Sequence, residues 1–146
     1  MLLENKNAVI YGGGGAIGGA VARAFAREGA KAHLAGHTLT RLEEDYYLGG
    51  LQVPFEAIES MRRQLSAELG SHGVRVVTLR TGGVPETIPE GFDGREAIVE
   101  GIERLTLLGR AATLEDVGNA AVFAASDWAR TLTATTVNIS CGALID

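Results

Sequence analysis

One cysteine, three prolines and one tryptophan are all that this chain of 146 residues has of those residue types. Cys141, standing alone, excludes an intrachain disulfide and a cysteine-built metal cage. No apolar run is long enough to span a bilayer, because the apolar stretch after residue 19 is broken by Arg23 and Arg27. Met1 to Lys6 is too short and too charged to read as a signal peptide, which predicts a cytoplasmic protein with no membrane partner. A surplus of positive charge is also missing. The net charge of −5 argues against a general nucleic-acid binder. No internal repeat and no low-complexity linker is visible, so residues 1–146 read as a single domain.

Glycine is plentiful. Twenty glycines cluster at turns with no collagen-like period. The densest cluster is Tyr11-Gly-Gly-Gly-Gly-Ala-Ile-Gly-Gly19, entered by Ala8-Val9-Ile10 and left by Ala20-Val21-Ala22. This is a strand, a glycine turn and a helix opening, whose free N–H groups and positive dipole end suit a phosphate or diphosphate. A Walker-type loop would need Gly-Lys-Ser/Thr at the helix start, where Gly18-Gly19-Ala20 stands instead. A dinucleotide loop fits the spacing better.

Periodicity predicts a strand at 7–11, a helix from Ile17 to about Glu28 stopped by Gly29, and a strand at 31–35. Residues 36–52 read as a short helix, with Thr40 and Glu43 as a capping box, or as a structured loop ended by Gly49-Gly50. A long helix is expected over 53–69, with Pro54 in its first turn. Phe55, Ile58, Met61, Leu65 and Leu69 would form its apolar stripe, leaving Arg62, Arg63 and Glu68 to water. A third strand follows at 74–79. Next come a helix capped by Asp93 with Glu96, a helix capped by Thr113, and a fourth strand at 136–139. The expected order is β-α-β-(α)-α-β-α-α-β.

These segments together resemble the short-chain dehydrogenase/reductase family. The family's loop Thr-Gly-x-x-x-Gly-x-Gly is matched by Tyr11 to Gly18, with Tyr11 for threonine and Ala16 for the middle glycine. Ser66 to Val77 is similar to its helix-to-strand passage, Leu108 to Asp127 to its penultimate segment, and Thr136 to Ala143 to its last strand and tail. The resemblance covers about 1–43 and 50–146. It implies an α/β fold, a minimal Rossmann-like doubly wound parallel sheet of about four strands. In family numbering the order 3-2-1-4-5-6-7 becomes 2-1-6-7, because one internal block is absent between residue 43 and the long helix. The crossover from strand 2 to strand 6 stays right-handed. Only one helix is left for the second face of a sheet that wants both faces covered. A homodimer burying that helix face or an edge strand is therefore expected.

The family's catalytic Tyr-x-x-x-Lys falls on Leu51 and Phe55, neither of which transfers a proton. The resemblance thus implies a nucleotide-binding protein without standard ketone or alcohol dehydrogenase activity. Its cofactor-binding positions would be Gly12, Gly14, Gly15, Ala16, Ile17, Gly18, His37, Thr38 and Gly82. Gly36-His37-Thr38 resembles the family's NADP-type Gly-Arg-Thr, which favours NADP. Two further functions stand beside this one. The first is a re-purposed small enzyme, a hydrolase of esters or phosphoesters drawing on Tyr46, Tyr47, His37, Asp45, Ser140 or Cys141. The second is a non-catalytic dimeric interaction protein. His33 and His37 lie across a strand end, a poor arrangement for a metal, and His72 reads as a surface turn residue.

Overall fold

Small apolar residues at helical spacing bury one side of the first helix, α1 (Ala16–Arg27), through Ala20, Val21, Ala24 and Phe25. Before it runs β1 (Asn7–Tyr11) and after it β2 (Lys31–Ala35), with Gly29 at φ +87° making the turn between helix and strand. β1 and β2 pair in parallel from Asn7↔Lys31 to Tyr11↔Ala35. Side chains alternate across a sheet. Ala8, Ile10 and Ala32 therefore pack on the core, while Val9, Tyr11, Lys31 and His33 occupy the opposite face. The structure, a computed structural model, describes residues 1–35 and 48–145, with the side chains of 48–55 outside that description.

The second half repeats the plan. Helix α2 (Leu48–Leu69) leads to β3 (Val77–Thr81), then α3 (Arg95–Arg104), α4 (Leu114–Ala125) and β4 (Thr135–Ile139). β3 and β4 pair in parallel from Val77↔Thr135 to Thr81↔Ile139. Leu79 and Ile139 point to the same core as α1 and α4. Its buried members are Leu3, Val21, Ala24, Phe25, Val84, Val117, Ala121 and Val122. α1 and α4 approach closely because Gly118 has no side chain. A Cβ there would lie 3.1 Å from the Ala24 Cβ.

Both ends of α4 are fastened. Thr113 and Asp116 form a reciprocal capping box, each bond 3.0 Å, and the Glu86 carboxylate accepts the Leu114 N–H. At the other end the Arg75 guanidinium donates to the carbonyls of Ala124 at 2.6 Å, Ala125 at 2.8 Å and Ser126 at 3.3 Å. It also reaches Ala129 and Leu132, both at 3.1 Å. These bonds satisfy carbonyls that a helix end leaves open.

The α/β class and the strand pairs expected from the sequence are present, but not as one sheet. Among the described residues β1 pairs only with β2 and β3 only with β4, so the closure of the first strand onto the third is absent. In the second layer α2 lies on β3–β4, and on the far face of β1–β2 Val9 is 62% exposed.

Four local expectations also change. Among the described residues the long helix runs from Leu48, so Gly49-Gly50 lie within it. Pro54 lies inside it and forgoes one backbone bond. Arg62 does not belong to water: its side chain is only 10% exposed, turned onto the sheet, while Ile58 and Met61 are half exposed. The third strand starts at Val77, because Val76 already bonds Thr133 and Ala134 while Arg75 clamps α4. Gly94, at φ +75°, caps α3 in place of Asp93. The optional helix within 36–47 lies outside the described residues.

Gly118→Val should cost about 1–3 kcal/mol in urea unfolding, because it overpacks the α1–α4 contact. Asp116 has its carboxyl held below the ordinary value by the Thr113 N–H and then by Arg110, 2.9 Å away. A depressed folded-state pKa stabilises above the unfolded value and is lost as pH falls through the lowered one. Unfolding free energy should therefore decline from pH 5 to pH 2, and Asp116→Asn should flatten that decline.

Candidate nucleotide site

The glycine loop is built on a single carbonyl. Ala35 at the end of β2 accepts the N–H of Gly12 at 2.7 Å and that of Gly13 at 3.3 Å. Gly12 adopts φ +81°, a left-handed conformation that glycine takes without penalty. Its own carbonyl accepts the Gly15 N–H at 3.1 Å, closing the turn. α1 then opens, its first i→i−4 bond running from the Gly19 N–H to the Gly15 carbonyl at 2.8 Å. The N–H groups of Ala16, Ile17 and Gly18 precede that bond, and the N-cap residue, Gly15, offers no side-chain cap. Uncapped amides at a helix N-terminus suit an anion.

Each glycine has its own reason. A Cβ on Gly18 would fall 2.1 Å from the Gly12 carbonyl oxygen, so only glycine lets α1 cross the loop. A Cβ on Gly13 would strike Leu34 at 2.9 Å. At Gly14 no heavy atom of the described residues lies within 4 Å of that position, so among them the space above the loop is open. A required glycine beneath the helix, an open glycine above it and free amides alongside are the fittings that a dinucleotide diphosphate uses.

Gly12, Gly14, Gly15, Ala16, Ile17 and Gly18 form the turn and the first turn of α1. Gly82 follows β3, where an added Cβ would lie 3.3 Å from the Ser140 Cβ and 3.4 Å from that of Ala143. That closeness explains this glycine by strand-end packing. His37, Thr38, Asp45, Tyr46 and Tyr47 lie outside the described residues. Leu51 and Phe55 fall within α2.

Ser140 and Cys141 are not part of the loop. They line a depression at the end of β4 with Arg110, Asp116, Leu107 and Leu108, and no loop residue borders it. Ser140 is 3% exposed and its Oγ accepts the Leu144 N–H at 3.0 Å, so it is a turn-forming hydroxyl rather than a nucleophile presented to solvent. The sequence reading missed Ala35 and Leu34, which set the loop from the neighbouring strand. It also missed Glu59, whose carboxylate accepts Arg62 at 2.8 Å and the Thr136 hydroxyl at 3.3 Å. Arg62 first, and then the Thr78 hydroxyl, hold that carboxyl below its ordinary range.

The model of the family described as enoyl-(acyl carrier protein) reductase matches residues 56–143. The chain belongs to this family of short-chain dehydrogenases/reductases. It is 31% identical over 128 residues to the NADH-dependent enoyl-[acyl-carrier-protein] reductase of Bacillus cereus, covering 82% of this chain and 49% of that one. To the corresponding protein of Aquifex aeolicus it is 34% identical over 86 residues, covering 59% and 32%. It spans between about a third and a half of the length of such curated relatives. An Anaplasma phagocytophilum enoyl reductase solved in complex with NAD superimposes with a TM-score of 0.75 at 18% identity, over 98% of this chain and 95% of that one.

For the Aquifex enzyme the sequence match takes in a third of the relative, whereas the structural match covers 100% of this chain and 99% of that one. Such a pair of values arises when the longer chain carries an internal stretch with no counterpart here, as the sequence resemblance implies for this family member. The expected NADP preference draws no support from relatives named for NADH, and a Bacillus cereus structure holds NADP+. None of the relatives described here is a hydrolase. Among the described residues no helix is long and apolar enough to cross a membrane.

Gly14→Ala should leave the melting temperature unchanged while weakening nucleotide binding at least tenfold, because its Cβ enters only the open space. Gly18→Ala should lower the melting temperature and abolish binding together. Thermal unfolding with and without nucleotide separates the two.

Proposed function

We propose that this protein holds a nicotinamide dinucleotide on the loop Gly12–Gly18 and lacks the tyrosine–lysine chemistry of ordinary ketone reduction. One observation carries the binding half. The Gly18 position tolerates no side chain, while the Gly14 position, among the described residues, faces open space beside three uncapped amides. The anion-binding end of α1 is thus built, with room left over it. When bound, the dinucleotide supplies a hydride donor or acceptor. The chain's own residues orient its diphosphate through the amides of Ala16, Ile17 and Gly18.

The chemical half rests on Leu51 and Phe55. Two hydrocarbon side chains occupy the positions at which the family resemblance calls for a proton donor and its lysine. The cofactor class is a pyridine dinucleotide. The finer preference for NADP rests on Gly36-His37-Thr38 and competes with the NADH named for the relatives. We also take the working unit to be a homodimer. Ile58 at 49% and Met61 at 47% exposure support this, as apolar side chains that their own sheet does not cover.

Fluorescence titration with NADPH and NADH tests the proposal. Saturable binding of either, tighter for NADPH, is the expected result, with no nucleotide oxidation on adding ketones or enoyl thioesters. No binding of either nucleotide would overturn the binding half. Turnover of a ketone by the wild type would overturn the chemical half.

A further inference from the structure

We infer that Arg23 is the cationic side chain that serves the diphosphate at the start of α1, reaching back along the helix over the gap left by Gly19; this rests on the dinucleotide reading above and adds a residue to it. The starting observation is a glycine with no backbone reason. Gly18 is required by the Gly12 carbonyl and Gly13 by Leu34. A Cβ on Gly19 would press only on the Arg23 Nη1, at 3.4 Å, while the Gly13 carbonyl oxygen lies at an ordinary 3.9 Å. Nor does Gly19 take a left-handed φ. Glycine inside a helix is disfavoured. What this one supplies is room for a guanidinium beside the first turn of α1.

Electrostatics makes that place costly without a guest. Residues four apart share one face of a helix and side chains lean toward its N-terminus, so Arg23 lies toward the positive end of the α1 dipole. A cation is disfavoured there and an anion favoured. No acid stands in the first turn of α1, and among the described residues Arg23 has no hydrogen-bond or ion-pair partner. Glu115 borders the same groove between α1 and α4 without forming an ion pair with it. Arg27, one turn on in that groove, is different. Its guanidinium donates to the Asn119 Oδ1 at 3.2 Å and lies 4.0 Å from the Glu28 carboxylate. The arginine nearer the loop is thus the one left without a partner among the described residues. The amides of Ala16, Ile17 and Gly18 offer a diphosphate partial charges, and Arg23 adds a whole one.

Fluorescence titration with NADH and with NADPH, alongside thermal unfolding to confirm folding, tests the inference. Arg23→Gln should raise the dissociation constant of both nucleotides roughly threefold and by the same factor, because the diphosphate is common to them. Arg23→Glu should raise it roughly tenfold, and Arg23→Lys should stay within about twofold of the wild type, the order that charge rather than packing dictates. Melting temperatures without nucleotide should hardly move, since the guanidinium bonds nothing among the described residues. Arg27→Gln, on the same flank, should leave both affinities unchanged. A wild type that binds neither nucleotide would overturn the dinucleotide reading and this inference with it. Saturable wild-type binding with Arg23→Gln indistinguishable from it would overturn the inference alone and leave that reading standing. So would a loss confined to NADPH, which would place the guanidinium at the 2′-phosphate instead.

Discussion

The contact of Gly118 with Ala24 is the point on which the rest of the structure hangs. No ladder joins β1 to β3 among the described residues, so the two βα halves meet chiefly through α1 and α4. Small residues at that seam bring the helices close enough for Val21, Phe25, Val117 and Val122 to share one core. Each large apolar side chain so buried contributes about 1.5–3 kcal/mol relative to exposure. Arg75 and Glu86 fasten the two ends of α4 to the segments around β3, and Asn119 reaches Arg27 across the seam at 3.2 Å. The seam therefore positions α1, and α1 carries the amides of the nucleotide site.

The second layer follows a different rule. α2 meets β3–β4 with a charged pair, while Ile58 and Met61 of its apolar stripe stay half exposed. Among the described residues the Glu59 Oε1 and Arg62 Nη1 atoms are buried without a hydrogen-bond partner. Taking such a pair out of water is expensive, and a pair of this kind adds little to stability on balance. What it does provide is orientation. With Glu59 bonded to Thr136, the helix is turned so that Ile58 and Met61 leave the sheet.

The first βαβ unit was legible almost to the residue. Apolar alternation along 7–11 and 31–35, the stripe of α1 and Gly29 are all local signals. The Thr113 box was equally plain, since a cap is decided within four residues. The rotation of α2 was not. A helical stripe predicts an inward face only if the sheet beneath is apolar, and Thr136 lies 77 residues from Glu59 in sequence. The start of β3 was misplaced for a similar reason, because Arg75 spends its side chain on carbonyls about fifty residues away. Within the site, the glycine spacing revealed the loop, but the carbonyl that fixes it belongs to the neighbouring strand. Only the fold brings Ala35 to Gly12 and Gly13.

The proposed loss of the proton-transferring pair rests on the sequence resemblance, whereas the glycine loop is described by its own hydrogen bonds, so the two are separable. The central claim is that the amides at the start of α1 receive the diphosphate of a nicotinamide dinucleotide. Backbone amide chemical shifts recorded during nucleotide titration test it most directly. The account predicts the largest saturable shifts at Gly14, Ala16, Ile17 and Gly18, with little change at Cys141 and Gly142 beyond the end of β4. Shifts confined to residues 138–144, or none in the loop at saturating nucleotide, would contradict it.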